Sequence, residues 1–212
     1  MKLLVVGATG LVGRNVLDCA LADSRIASVV ALARRALPPH PKLQAVEVDF
    51  DHLPAEAPWW QADAVICALG TTMRTAGSRE AFKRVDYEYP LAVARLARQH
   101  GTPAYVLNSS VGADPSSRIF YTQVKGEVER DLTRLNFPSL TIARPGFIGG
   151  HRDEFRLYER LMLGALTVFG FMLPLRWRVN PAPTIARAMI DAAVRAEPGI
   201  RIIQSYSMIR GS

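Results

Sequence analysis

Two cysteines in 212 residues exclude a disulfide-stapled scaffold. Far apart and on apolar segments, Cys19 and Cys67 read as small core residues in a reducing, cytoplasmic compartment. Histidine is sparse too. His40, His52, His100 and His151 are scattered over loop-like positions, and neither they nor the cysteines have metal-ligand spacing, so no metal is expected. There is no low-complexity tract, no Ser/Gly-rich linker and no repeat with a period of about 20–50 residues, which excludes solenoids and tandem modules. No apolar run reaches the ~20 residues of a spanning helix. The longest, 161–175, carries Gly164, Gly170 and Pro174 and reads as a buried or pocket-lining helix, with a subunit contact or a peripheral membrane touch as alternatives. Stable membrane insertion is not expected. The apolar run at 3–6 is too short for a signal peptide and reads as a strand.

Apolar residues make up 49% of the chain, enough for one domain with a substantial core. The net charge of +7 and a pI near 9.8 raise the question of a nucleic-acid partner. The basic residues are dispersed arginines without interleaved aromatics, which favours an anionic small ligand and no nucleic acid.

Short apolar, β-branched runs at 3–6, 28–32, 43–48, 64–68, 104–107 and 139–143 suit a parallel sheet buried on both faces. A last strand at 200–204 is also expected. Amphipathic segments at 11–22, 79–99, 119–135, 153–168 and 184–195 alternate with them. In one, Leu91, Ala94, Leu96 and Ala97 share a face while Arg95 and Arg98 point away. Right-handed βαβ units follow. The expected fold is α/β, a Rossmann-type doubly wound parallel sheet in a single domain, 1–212, with a small helical substrate-side portion at about 150–212.

The first strand runs into Gly7-Ala8-Thr9-Gly10-Leu11-Val12-Gly13 and then a helix. Here one glycine permits the turn, one lets the backbone approach a pyrophosphate, and one lets helix and strand pack closely. The helix N-terminus offers unpaired N–H groups to the phosphates. Gly7, Thr9, Gly10, Leu11, Val12 and Gly13 are therefore candidate dinucleotide contacts. The spacing is G-x-x-G-x-x-G rather than G-x-G-x-x-G, and a glycine turn without a ligand is the alternative.

After the second strand stand Arg34 and Arg35, where an NAD site usually carries a carboxylate for the ribose 2′-hydroxyl. A guanidinium fork suits a phosphate monoester, so NADP(H) is expected over NAD(H); ordinary surface charge is the alternative. Asp49, at the third strand end, is expected to accept from the adenine amino group, and Phe50 to flank the ring. Ala68, Leu69, Gly70 and Thr71, at the fourth, allow a cofactor to lie against the backbone.

Beyond the fifth strand, Ser109-Ser110 precedes Tyr121-Thr122-Gln123-Val124-Lys125. Tyr121 and Lys125, four apart on a helix, share a face. An ammonium beside a phenol favours the phenolate, which suits Tyr121 to proton exchange with a carbonyl or alcohol oxygen near neutral pH. A serine at the strand end would hold the same oxygen.

With these residues the chain resembles an atypical short-chain dehydrogenase/reductase, and within that group the HIV Tat-interacting oxidoreductase family and its bacterial NAD(P)-binding relatives. The resemblance rests on GATGLVGR (7–14), ARR (33–35), VDF (48–50), LGTT (69–72), VDYEYPL (85–91), SSVGADPSS (109–117), FYTQVKGEVE (120–129) and RPGFIGG (144–150). It implies catalytic roles for Tyr121, Lys125 and Ser110, with Ser109 as the competing serine, and places Ser109, Tyr121 and Lys125 beside the cofactor. It also implies that Arg144-Pro145-Gly146-Phe147 closes over the nicotinamide end. The implied activity is reduction or oxidation of a small carbonyl or alcohol; the alternative is an NADPH-sensing regulatory protein with little or no turnover. A homodimer or a protein partner is compatible with it. One departure stands out: many members place a relay asparagine where this chain has Asp86, and an ionised carboxylate cannot donate as an amide does. Few residues follow 150, which disfavours a nucleotide-sugar substrate.

Overall fold

Successive strand residues face opposite sides of a sheet, so a strand that is apolar throughout must be buried on both. In the computed structural model, which describes residues 1–149 and 179–210, β1 (Lys2–Val6) does this: Leu3 and Val5 enter one core, Leu4 and Val6 the other. The chain continues through α1 (Leu11–Ala22), β2 (Ser28–Ala33), β3 (Leu43–Glu47), a short turn of helix at Pro58–Trp60 and β4 (Ala64–Cys67). Then follow α2 (Met73–Ala76), α3 (Arg79–Lys83), α4 (Tyr89–Gln99), β5 (Ala104–Asn108), α5 (Phe120–Thr133) and β6 (Ser139–Arg144). The last described elements are β7 (Phe147–Gly149), β8 (Val179–Pro181), α6 (Ala182–Arg195), β9 (Gly199–Gln204) and α7 (Ser205–Arg210).

Seven strands form one parallel sheet in the order β3-β2-β1-β4-β5-β6-β9. The order reverses between β1 and β4, the point at which such sheets open a crevice at their carboxyl ends. Val16 and Ala20 of α1 and Ile185 and Met189 of α6 cover one face. Leu91 and Val93 of α4 and Val128 and Leu132 of α5 cover the other, around the fully buried Trp60 and Tyr105. This is the Rossmann-type fold expected, and the expected strands form. Cys19 and Cys67 are free thiols, half-buried and buried.

Three details differ from expectation. The strand beginning at Leu43 lies at the sheet edge and is largely exposed, not buried on both faces. The helix expected at 79–99 is broken: at Arg84–Glu88 the coil widens to a π-type turn, where the Tyr89 N–H reaches back five residues to the Arg84 carbonyl. Pro90 has no N–H to donate into a regular ladder, and such widened turns recur at functional sites. β7 and β8 form an additional parallel pair. The helix expected at 153–168 and the apolar run at 161–175 lie outside the described residues. Among the described residues, no helix is long and apolar enough to cross a membrane.

Candidate active site

Gly7 leaves β1 with φ at +88°, and a Cβ there would stand 2.7 Å from the backbone at Ala68 and Leu69. The loop can therefore lie flat against the end of β4 only as glycine. Gly13 lies behind it in α1, where an added Cβ would meet the Gly7 carbonyl oxygen at 1.9 Å. The Gly10 N–H closes the turn on the Gly7 carbonyl at 3.0 Å. No side chain caps α1 and no acidic residue stands in its first turn, so its leading N–H groups are left for an anion. This cradle, which a side chain would fill, fits a dinucleotide pyrophosphate.

A cavity of about 340 Å³ opens above the loop. Gly7, Thr9, Gly10 and Leu11 form one wall, residues 68–71 another, and Arg34 and Arg35 a third. Arg14 joins the two arginines, and no carboxylate among the described residues lines this space. Sequence reasoning passed over Arg14; its position one residue after the last loop glycine was the available signal. Phe50 is buried, stacks on Tyr89 with centroids 5.4 Å apart, and lines the cavity with it. Asp49 does not. Its carboxylate accepts from the Asp51 N–H at 2.9 Å and pairs with His52 at 2.8 Å, capping the turn that follows β3.

A second cavity, of about 490 Å³, continues the first along the strand ends and shares Gly10, Leu11 and residues 68–72 with it. Val12, Ser109, Ser110, Tyr121, Lys125, Pro145, Gly146 and Phe147 line it. The expected catalytic trio thus meets in one space. Tyr121 stands at the mouth, 38% exposed, its ring 5.7 Å from that of Phe82. Lys125, one turn deeper, is buried. Its Nζ lies 2.8 Å from Oδ1 of Asp86, whose Oδ2 accepts from the Thr71 N–H at 2.8 Å. Burial works against the lysine charge, but Asp86 and Tyr121 outweigh it and raise Lys125 above its usual range.

The two serines separate cleanly. Ser109 Oγ donates to Glu129 of α5. Among the described residues, Ser110 Oγ engages only the neighbouring Val111 carbonyl, at 3.2 Å, so its hydroxyl can turn to a ligand. Glu129 also accepts from Arg144, whose Nε lies 3.0 Å from Oε1. That pairing sets the Arg144 guanidinium between β6 and α5, and Arg144 is not among the residues lining the cavity. The rest of that loop does reach the cavity. The Gly146 N–H donates to Asn180 Oδ1 at 2.7 Å, and the fully buried Asn180 is tied in turn to Ser205. Asn180 was missed because its role depends on a partner about 34 residues away. Asn108, at the end of β5, was missed as well. It lines the cavity, and its buried Oδ1 has no hydrogen-bond partner among the described residues.

Residues 7–154 match a family model described as NAD(P)H-binding. Protein FMP52, mitochondrial, of Coccidioides immitis is 33% identical over 235 residues, covering 97% of this chain and 94% of that protein. Protein HTATIP2 of Rattus norvegicus is 37% identical over 206 residues, covering 93% and 83%. Among solved structures, MoeE5 in complex with UDP-glucuronic acid and NAD superposes with a TM-score of 0.75 at 19% identity, over 96% of this chain and 75% of that one. The oxidoreductase ylbE of Lactococcus lactis gives 0.68 at 17%, over 99% and 96%. At such identities the structures speak for the fold alone.

Proposed function

The chain belongs to the NAD(P)H-binding family, with atypical short-chain dehydrogenase/reductase relatives, and from that membership we propose that it is an NADP(H)-dependent oxidoreductase acting on a small carbonyl or alcohol. The observation that carries the reading is the continuity of the groove. An arginine-walled cavity over the glycine loop runs into one lined by Tyr121, Lys125 and Ser110.

The 2′-phosphate would be held by Arg34 and Arg35, with Arg14 adjoining. Guanidinium forks without a competing carboxylate favour that group over a bare ribose hydroxyl. The glycine loop would hold the pyrophosphate and residues 68–71 the inner face of the cofactor. When bound, the cofactor supplies or accepts a hydride at the substrate carbon. Ser110 Oγ donates to the substrate oxygen and holds it against Tyr121. The Tyr121 hydroxyl gives its proton to that oxygen in reduction, and in oxidation the phenolate takes the alcohol proton to become the hydroxyl again. Lys125 lines the same cavity one turn along α5. Apolar groups at the cavity rim, Met73, Val111, Phe147 and Ile148, suit an apolar or aromatic substrate body. The cytoplasm is the proposed compartment, on the free thiols; cell fractionation tests it against the mitochondrial placement in the Coccidioides immitis relative's name.

The test is cofactor consumption by wild type and Tyr121→Phe across aldehydes, ketones and quinones, with NADPH and NADH compared for binding. The expected result is tighter NADPH binding and turnover that Tyr121→Phe lowers at least ~100-fold with NADPH affinity kept. Full turnover in the variant overturns the mechanism. Tight NADPH binding without turnover on any substrate moves the reading to an NADPH-sensing regulatory protein.

A further inference from the structure

Lys125 presents an electrostatic problem that its own helix cannot solve. Its side chain is 6% exposed, and an ammonium withdrawn from water without a counter-charge gives up its proton readily. Glu129, one turn along α5, is engaged by Arg144 and Ser109. The carboxylate that meets Lys125 is that of Asp86, itself 1% exposed. Asp86 is locked in turn. The widened turn at Arg84–Glu88 sets its backbone, and the Thr71 N–H takes its second oxygen. Gly70 lies over the pair, where an added Cβ would stand 3.5 Å from Asp86 Oδ1 and 3.9 Å from Lys125 Nζ.

We propose that Asp86 is a positioning residue, the buried counter-ion that keeps Lys125 an ammonium and holds it in the cavity wall. The inference rests on the reading above, in which Lys125 belongs to the reacting site. Position 86 is then no relay amide. Both oxygens of Asp86 are engaged, one by the Lys125 ammonium and the other by the Thr71 N–H, and a carboxylate so held does not donate as a relay amide would. The other titratable groups facing Lys125 are Tyr121 of its own helix and the thiol of Cys67 in β4, which contacts the phenol of Tyr105 in β5. Burial pushes both Cys67 and Tyr105 up, so neither supplies the missing negative charge near neutral pH.

The chain has only four lysines, which makes a direct measurement practical. Protein labelled with carbon-13 lysine is titrated by NMR, with the Lys125 resonance assigned by its loss in Lys125→Met. In wild type, Lys125 stays protonated to the highest pH at which the fold holds. In Asp86→Asn its midpoint falls by about 2 pH units or more, and Asp86→Glu restores the wild-type behaviour. A Lys125 that titrates in Asp86→Asn with the surface lysines, or above them, overturns the proposal. Asp86→Ala carries the same expectation should the asparagine variant not fold. Failure of both to fold, by circular dichroism, overturns it in favour of a pair that serves the fold alone. The titration needs no substrate, so a wild type without turnover would sink the oxidoreductase reading, and with it the positioning role, while the counter-ion assignment itself would still be decided by the Lys125 midpoint.

Discussion

Lys125 and Glu129 sit one turn apart on α5, each half of a buried ion pair, yet only the first pair lines the cavity. Asp86–Lys125 faces the space where a substrate would react. Glu129–Arg144 joins α5 to the end of β6 and takes the Ser109 hydroxyl as well. Another carboxylate of the helix, Asp131, lies on its outer side among the exposed Arg130 and Arg134. The same chemistry in three settings serves a site, a brace and a surface. Burying charge is costly, and removing one partner of an inner pair leaves the other buried without compensation.

The brace should show the largest effect on stability. Glu129→Ala leaves the three-quarters-buried Arg144 without its partner and Ser109 without its acceptor. A loss of about 3 kcal/mol is expected, at the low end for breaking a buried pair, or roughly 6–12 °C in Tm for a chain of this size. Thermal unfolding followed by circular dichroism measures it. A loss below about 1 kcal/mol, the range of surface pairs, would erase the distinction between brace and surface.

The paired serines sharpen the contrast between brace and site. Ser110→Ala should cut turnover roughly 100-fold, the scale of losing one donor to a reacting oxygen, with stability nearly unchanged. Ser109→Ala should do the reverse: turnover within a few-fold of wild type and a stability loss of about 1.5–3 kcal/mol, as for a hydrogen bond to a charged group. If Ser109→Ala instead abolishes turnover in folded protein, the two serines exchange roles and Glu129 moves from brace to site.

How much of this was legible in the sequence follows the range of the interactions. The sheet, its two-faced burial and the glycine loop rest on local patterns, and strands such as β1 form where their apolar runs place them. Tyr121 and Lys125 could be matched because helix periodicity alone puts them on one face. The choice between Ser109 and Ser110 could not be made from two adjacent hydroxyls; it depends on Glu129, about 20 residues away. Arg144 looked available for a cofactor for the same reason, since its partner lies on another element. Asp86 stood out as a departure, but its pairing required the break in the helix before Pro90, which apolar periodicity through 79–99 conceals.

The smallest expected effect belongs to the outer carboxylate, and it is a matter of pH. The Arg130 hydrogen bond first, then the Tyr87 hydroxyl and Arg134, hold Asp131 down at about 2, against an ordinary value of 3.8. A carboxyl lowered by folding adds stability that is fully present above the unfolded value and lost as pH falls through the folded one. Wild type should therefore exceed Asp131→Asn by about 1 kcal/mol at neutral pH, a figure discounted because its arginine partners are exposed and screened. The gap should narrow below pH 3.8 and close near pH 2. Added salt should shrink it as well, because it screens exposed pairs more than buried ones, whereas the Glu129→Ala loss should hardly change. Denaturant unfolding of both variants across pH, at low and high salt, measures this directly. Equal salt sensitivity in the two would mean that the brace is as open to water as the surface pair, and the division of α5 into inner and outer charges would fail.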